Sequence, residues 1–496
     1  MLGRKERVCK VHPALCLENL VPQGHFYRQV EARLDLSFVR ALVAEDYVEG
    51  KGRPSIDPVV FFKLQLIMFF EGIRSERQLM AQVEVNLAQR WYLGYDLDEA
   101  LPNHSSLSRI RDRYGLAVFE RFFEEIVERC RRAGLVWGEE LYFDGTKVRA
   151  NADLDKQVPL FYAEAQAHLK ARFRAEPEPV ASRGFSDRYN GQRLLGLHSS
   201  PSIERQGDRW VCPTDPDATL LHSEFGHGRL GYHVHYVVDG GKARIILAAL
   251  VTPASIMDNT PMLDLARWVR FRWQVHPRFA VGDSKFGTFP NIIGLETDGV
   301  RAYLAMPEKR FGLYPNERFV YDAEHDGYLC PQGHFLAHSS YDRHADAFMY
   351  RTSPKICNAC PVKAECTTSV YGRVVRRSIF QPYIDRVHAY HQTPGYLKAM
   401  RKRSVWIEPR FGEAKQWHQL TQFRLRRLRK VNIQALLVAA GQNIKRLLRA
   451  KHSWMPLLPL QPAALSIPFP ERLLWFLARC FNSSLCQIPS TFLSVF

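Results

Sequence analysis

The chain has 496 residues, 46% apolar and 24% charged, which suits two to four folded domains and excludes a disordered polypeptide. Lys and Arg number 68 against 51 Asp and Glu, and a net charge of +17 favours a polyanionic partner. No apolar run approaches the ~18 to 20 residues of a membrane helix, so no membrane-spanning role is expected.

The first twenty residues, MLGRKERVCKVHPALCLENL, are charged and lack a long apolar core, which argues against a secretory signal and for a cytoplasmic protein. In that setting thiols stay reduced, and cysteines that cluster read as metal ligands before disulfides. Residues 1–135 read as an all-helical domain. Asp57-Pro58 is a cap followed by proline at the first helical position, and Gly72 ends that helix. Ser75 and Gln78 have capping-box spacing. In PNHSSLSRIRDRYG, Leu107, Ile110 and Tyr114 fall on one stripe, while Arg109, Arg111 and Arg113 are expected to point elsewhere. A turn followed by an arginine-bearing helix fits a helix-turn-helix reader, with Arg109 and Arg113 as DNA contacts; a solvated helix of an ordinary bundle fits equally.

From Glu139 the period changes. LYFDGTKVRA reads as a strand that runs into a turn or a second strand. A polar excursion covers 156–218, followed by a hairpin around Asp239-Gly240-Gly241. A helix capped by Asp258 or Asn259, a short strand ending at Asp283, another helix and another strand complete a mixed α/β sheet over 136–306. Residues 307–377 are polar and cysteine-bearing and read as an insertion. Basic helices return over 378–452, and 453–496 is an apolar tail with several prolines.

Asp144 and Asp283 each end an apolar run, and each has a lysine within three positions, in FDGTK and GDSK. Two carboxylates side by side repel unless a divalent cation joins them, and Mg²⁺ takes such hard oxygen ligands. A third acid would come from VWIEPRFGEAK. Glu408 lies seven positions, two helical turns, before Lys415, so the pair shares a face if the helix is continuous; Pro409 allows a start or kink there, and Glu413 is the rival.

The ordered set SIDPVVFFKLQLIMFFEGIRSERQL, PNHSSLSRIRDRYG, LYFDGTKVRANA, DPDATLL, GYHVHYVVD, VGDSKFGT and VWIEPRFGEAKQWHQLTQFRLRRLRKVNIQALLVAAGQNIKRLL resembles the DDE transposases of bacterial insertion sequences. The resemblance spans about 30 to 450. It is to the subgroup with an N-terminal helical domain and a cysteine-bearing insert. It implies an RNase H-like catalytic fold in which Asp144, Asp283 and Glu408 hold two Mg²⁺ or Mn²⁺ ions, ~3.5–4 Å apart, for cleavage and joining of DNA strands. It makes Lys415 a cation beside DNA phosphate. It implies double-stranded DNA as partner, a homodimer on that DNA, and no small-molecule substrate. Lys147 and Lys285 become candidates to grip the backbone near the ions. Related proteins often carry Tyr seven and Arg four positions before the Glu; Arg401 and Ser404 stand there, and Arg403 is the candidate to supply the charge. Ser284-Lys285-Phe286 replaces the Gly-Tyr pair that often follows the second acid. The alternatives are a DNA-binding derivative without catalysis and an RNase H-like nuclease without a joining step.

Cys330, Cys357, Cys360 and Cys366 include a C-x₂-C knuckle, and four thiolates favour a closed tetrahedral Zn²⁺ site; His334 or His338 could replace one ligand. Between Arg401 and Lys451 stand fourteen Lys or Arg, Arg426 and Arg427 among them, opposed in that segment only by Glu408 and Glu413. Such density predicts phosphate contact and salt-dependent binding. IQALLVAAGQNI has helical apolar spacing and is expected to bury one side.

Overall fold

Residue chemistry at the helix ends sets the N-terminal part of the fold. The computed structural model describes residues 15–47, 55–160, 163–164, 210–221, 228–306, 313–343 and 347–450, so most of the 156–218 excursion and the whole 453–496 tail lie outside the described residues. Helices α1 (Leu17–Leu20), α2 (Phe26–Arg33) and α3 (Phe38–Leu42) precede α4 (Pro58–Phe70). Asp57 accepts from Val59 N at 2.8 Å, and Pro58 takes the first helical position, where its missing N–H costs nothing. Every residue of α4 from Phe61 to Phe69 is buried; Lys63 is reconciled to this by Glu31 and by the Tyr92 carbonyl, 2.8 Å away. Gly72 ends the element at φ +63°, where a Cβ would meet the Trp417 carbonyl oxygen at 2.9 Å.

Next come α5 (Glu76–Val85), α6 (Leu87–Leu93) and α7 (His104–Arg132). Ser75 Oγ accepts from Gln78 N at 3.4 Å, half of the expected capping box. The arginine-bearing stretch continues beyond the short helix expected, and Gly115 breaks α7 with φ 64° and ψ −171°. Leu107, Ile110 and Tyr114 are buried as their stripe required. Arg111 departs from expectation: it is 3% exposed and paired with Glu76, because a second packed element covers that face of the helix.

The sheet that follows contains β1 (Glu140–Arg149), β4 (Thr219–Leu221), β5 (Arg229–Asp239), β6 (Ile246–Pro253), β7 (Phe279–Gly282) and β8 (Arg301–Leu304); β2 (Val158–Pro159) and β3 (Trp210–Val211) form a separate pair. Strands β6, β5 and β1 are successively antiparallel, and β1, β7 and β8 are parallel. The order β6-β5-β1-β7-β8 is that of an RNase H-like sheet, with β4 added beside Arg229–Gly231. Helix α8 (Met262–Trp273) joins β6 to β7, and α9 (Phe289–Thr297) joins β7 to β8.

The insertion is an antiparallel sheet of β9 (Val320–Asp322), β10 (Gly327–Leu329), β11 (Phe335–Asp342), β12 (Ala347–Arg351) and β13 (Val374–Ser378). It has its own small core of Phe319, Tyr328, Leu336, Tyr350 and Val375. Two short helices, α10 (Pro354–Asn358) and α11 (Lys363–Cys366), lie between β12 and β13. The chain then runs through α12 (Gln381–His391), α13 (Pro394–Trp406), α14 (Glu408–Trp417) and α15 (Leu428–Arg449).

Helix α15 is the pivot of the main core, which runs from Tyr27 to Leu448. It packs on α4, α7 and β6, and Gly441 lets the Phe69 ring approach to where a Cβ would stand, 2.4 Å away. Residues 431–444 are all buried, so α15 is covered on every side over that stretch, not on one side as its apolar spacing suggested. Its buried amides explain how. Asn432 bonds the N–H and C=O of Val251 at 2.8 and 3.1 Å, and Asn443 bonds those of Ile246, both at 2.9 Å. Eleven helical residues and five strand residues both span about 16.5 Å, so two asparagines three turns apart match the edge groups of β6. They satisfy backbone groups that an edge strand would otherwise leave open.

Candidate active site

Asp144 sits mid-strand, not at a strand end as its sequence suggested, because β5 pairs with β1 from Leu141 through Arg149. The parallel neighbour β7 is shorter. Its last partner to β1 is Val281, opposite Tyr142. Two residues on from each are Asp144 and Asp283, so the register carries the two acids out on adjacent chains where the pairing ends, close enough for Asp283 to act on the Asp144 carboxyl. Asp283 Oδ1 accepts from the Lys285 N–H at 2.9 Å, which shapes the turn leaving β7.

The third acid arrives on a helix. Asp144 lies opposite Tyr236, and Tyr236 stacks on Phe411 of α14 with ring centres 4.5 Å apart, so α14 covers the Asp144 face of the sheet. Glu408 heads α14, after a break at Ile407 and with Pro409 in the first turn. The Arg403 guanidinium, 3.7 Å from Asp144 Oδ2 and 3.6 Å from Glu408 Oε1, joins the two carboxylates. Burial raises the Asp144 carboxyl to about 6; Arg403 and the Gly145 N–H oppose this, and Asp283 and Glu408 push further up. Burial holds the Lys415 ammonium below its usual range, with Asp144 pulling the other way, so Lys415 also faces this site.

Glu413, the rival acid, lies elsewhere. Its carboxylate is 2.6 Å from Lys445, 3.1 Å from Arg446, 3.4 Å from Arg410 and 3.7 Å from His418. Burial pushes its pKa up, but His418, Lys445 and Arg410 outweigh it and hold the group at about 2.

The donor chemistry at Asp144, Asp283 and Glu408 is what Mg²⁺ takes: few, hard, anionic oxygens with an open side. Yet Arg403 stands between two of the three, and among the described residues no three acid, His or Cys side chains are spaced as ligands of one ion. The fit is therefore one of donor type.

Other candidates disperse. Lys147 is exposed on β1, an odd number of residues from Asp144 and hence on the other face. Lys285 Nζ reaches Asp258 Oδ2 at 3.3 Å. Asp258 does not cap α8, whose cap position is Pro261; it is 3.0 Å from His233 Nδ1 and ties the turn after β7 to the hairpin. Arg109 and Arg113 are exposed on α7, Arg113 lying over the Tyr47 ring at 5.3 Å. Arg426 and Arg427 are exposed just before α15.

One pair escaped sequence reasoning. In DPDATLL, Asp215 accepts from Arg427 N and Asp217 from Leu428 N, both at 2.7 Å, and buried Asp215 also accepts from Tyr232 OH at 2.6 Å. The two acids thus cap the head of α15 from more than two hundred residues away. DPDATLL stood in the sequence only as one segment of the family resemblance, and nothing local to it names the helix it caps.

The four cysteines of the insertion line one cavity of about 30 Å³ with His334 at its edge. His334 N donates to Cys330 Sγ at 3.3 Å, and Cys330 N donates to His334 O at 2.9 Å, a tight turn around one thiol. Burial raises the Cys366 thiol, Arg373 opposes, and Cys357, Cys330 and Cys360 push it further up, so the four are electrostatic neighbours. Gly372, at φ +83°, leaves room for Cys357 Sγ, which a Cβ would meet at 3.1 Å. The set suits zinc in kind and number, while its spacing is not that of a bound ion.

Comparison with known proteins adds three findings. The family model described as "Transposase domain (DUF772)" matches residues 15–113, and that described as "Transposase DDE domain" matches residues 329–448. The second includes Glu408; Asp144 and Asp283 fall between the two matches. No curated protein matches. A solved structure, a cryo-EM structure of piggyBac transposase in a synaptic complex with hairpin DNA, aligns over 92% of this chain and 83% of that one at 9% identity, with a TM-score of 0.24, too low to carry any argument. A transposase domain near its start and a transposase DDE domain across its insertion and basic helices support a DDE transposase of the insertion-sequence type.

Proposed function

We propose that this transposase cleaves DNA at the ends of its own element and joins the freed 3′ ends to a target, using divalent cations held by Asp144, Asp283 and Glu408. The observation that carries the reading is the register of β1 and β7, which puts Asp144 beside Asp283, together with the Arg403 bridge from Asp144 to Glu408. Bound Mg²⁺ or Mn²⁺ would supply activation of a water or 3′-hydroxyl and stabilisation of the departing oxygen. The chain's own groups do the rest. Arg403 offsets the mutual repulsion of Asp144 and Glu408 in the free protein, and its displacement toward phosphate opens the space between them. Lys415, two turns along α14 from Glu408, pairs with a phosphate oxygen. The protein acts on DNA as a homodimer, and Cys330, Cys357, Cys360 and Cys366 hold a structural zinc.

The test is nicking of a duplex that contains an element end. It should require Mg²⁺ or Mn²⁺ and be lost in Asp144→Ala, Asp283→Ala and Glu408→Ala while DNA binding persists. Intact cleavage in any of the three would reject the site. Products that never join to a second duplex would leave a nuclease. Zinc is tested separately: purified protein should carry about one zinc per chain, lost in the Cys357→Ser, Cys360→Ser double variant, and a folded chain without metal would refute it.

A further inference from the structure

A second charged concavity lies away from the acids. It is a cleft of about 470 Å³ between the start of α5 (Arg74, Glu76), the first half of α7 (Ser108, Arg111), the chain just past β1 (Asn151) and the approach to α15 (Arg424–Arg427, Lys430). Among the described residues six cations line it against one carboxylate, Glu76. Asp112 stands at its edge, 2.7 Å from Lys430.

The balance is worse inside than that count suggests. Arg111 and Arg424 share a single oxygen, Glu76 Oε1, Arg424 at 3.3 Å. Arg111 is 3% exposed, and its Nε has no hydrogen-bond partner among the described residues. Burial and then Arg424 lower the Arg111 guanidinium to about 9, still protonated at neutral pH. One carboxylate therefore serves the buried Arg111 and the partly buried Arg424, which also donates to Gln65 Oε1 at 3.4 Å, and a buried charge without a full partner is costly.

The outer cations are held in place. Arg426 Nε donates to the Asn151 carbonyl at 2.9 Å. Arg427 adopts φ 71° and ψ 143°, a sparsely populated conformation for a residue with a side chain, fixed by the Asp215 and Asp217 caps on either side of its carbonyl. Strain of this kind persists only where surrounding bonds overdetermine it. Arginine forks fixed around a concavity suit the tetrahedral oxygens of phosphate. The cleft also lies beyond the end of β1: Asp144 to Arg149 spans about 16 Å and Asn151, which lines the cleft, is two residues further, so the separation is roughly five to seven nucleotides of one DNA strand.

We propose that this cleft clamps a backbone phosphate of the same DNA duplex whose scissile bond lies at the acidic site, roughly five to seven nucleotides away, with Arg74, Arg111, Arg424 and Arg426 as the grip. This rests on the reading that the chain cuts DNA, but its test is independent of cutting. Binding of the full chain to a duplex with an element end is measured by fluorescence anisotropy over a salt series. Arg74 and Arg426 are both exposed, so their alanine variants should fold, as circular dichroism and melting will check. Loss of the clamped phosphate in the double variant should reduce the slope of log K against log salt by about 0.9, and each single variant by part of that. Arg426→Lys should restore most of the slope. Asp144→Ala should keep the full slope while losing cleavage.

An unchanged slope and affinity in the double variant overturns the clamp and leaves the acidic site standing. A wild-type chain that binds no duplex overturns both. A second arm uses pyrophosphate: if it raises the melting temperature of the wild type but not of the double variant, while DNA binding is the same in both, the ligand is a free phosphate and the placement on DNA is wrong.

Discussion

Two glutamates on one helix have opposite surroundings. Glu408 and Glu413 are five residues apart on α14. Glu408 is 53% exposed, and with Asp144 it shares one guanidinium, so acids outnumber their cation. Glu413 is 16% exposed and has Arg410, Lys445, Arg446 and His418 around it, so cations outnumber the acid. The excess of each site tells what it lacks. An acidic excess at an open edge suits cations brought from outside, whereas a single acid among buried cations is already satisfied and serves the fold. Local sequence could not separate them, since both acids are followed by basic residues on the same helix.

That contrast predicts a double dissociation. Glu408→Gln should lower strand cleavage by at least ~10³, about 4 kcal/mol of barrier, with a melting temperature close to wild type, since an exposed substitution costs at most ~0.5 kcal/mol. Glu413→Gln should do the reverse. Removing the one carboxylate strands its buried cations and should cost about 3 kcal/mol in denaturant unfolding, with cleavage per folded molecule kept. If Glu413→Gln abolishes cleavage in a stable protein, the two roles have been assigned backwards.

The same acid gives a pH dependence. Its folded value of about 2 lies below the 4.5 of an ordinary glutamate. A depressed carboxylate contributes stability that is fully present above pH 4.5 and is lost as pH falls through the folded value. Wild-type stability should therefore drop between pH 4.5 and 2, and Glu413→Gln should lose less over that interval. Equal acid sensitivity in the two proteins, measured by urea unfolding at each pH, would contradict the cluster.

Much of this was legible in the chain. Asp57-Pro58 and the Ser75–Gln78 pair marked helix starts because capping is local chemistry. The strands were readable from their apolar runs, and Asp239-Gly240-Gly241 marked the hairpin. What stayed hidden is what depends on a distant partner. Arg111 looked like a surface cation because Glu76 lies on another helix. The basic run from 401 to 451 looked nearly unopposed, yet Lys402 meets Glu140 and Arg424 meets Glu76, acids supplied from outside that run. The burial of α15 on all sides was masked by its asparagines, which are polar by type but bonded to the β6 edge.

Asp215 offers the smallest and most specific check of that lesson. Its carboxylate joins three segments: its own loop, Tyr232 on β5 and the head of α15. Asp215→Ala removes a helix cap and leaves the buried Tyr232 hydroxyl without its acceptor, a loss of about 1–2 kcal/mol. Asp215→Asn keeps an acceptor oxygen for Arg427 N and should cost less than the alanine. Tyr232→Phe removes the hydroxyl together with its need for a partner. In a double-mutant cycle, Asp215→Ala should therefore cost less in the Tyr232→Phe background than in the wild type. Additive losses would mean that the two side chains do not share a bond.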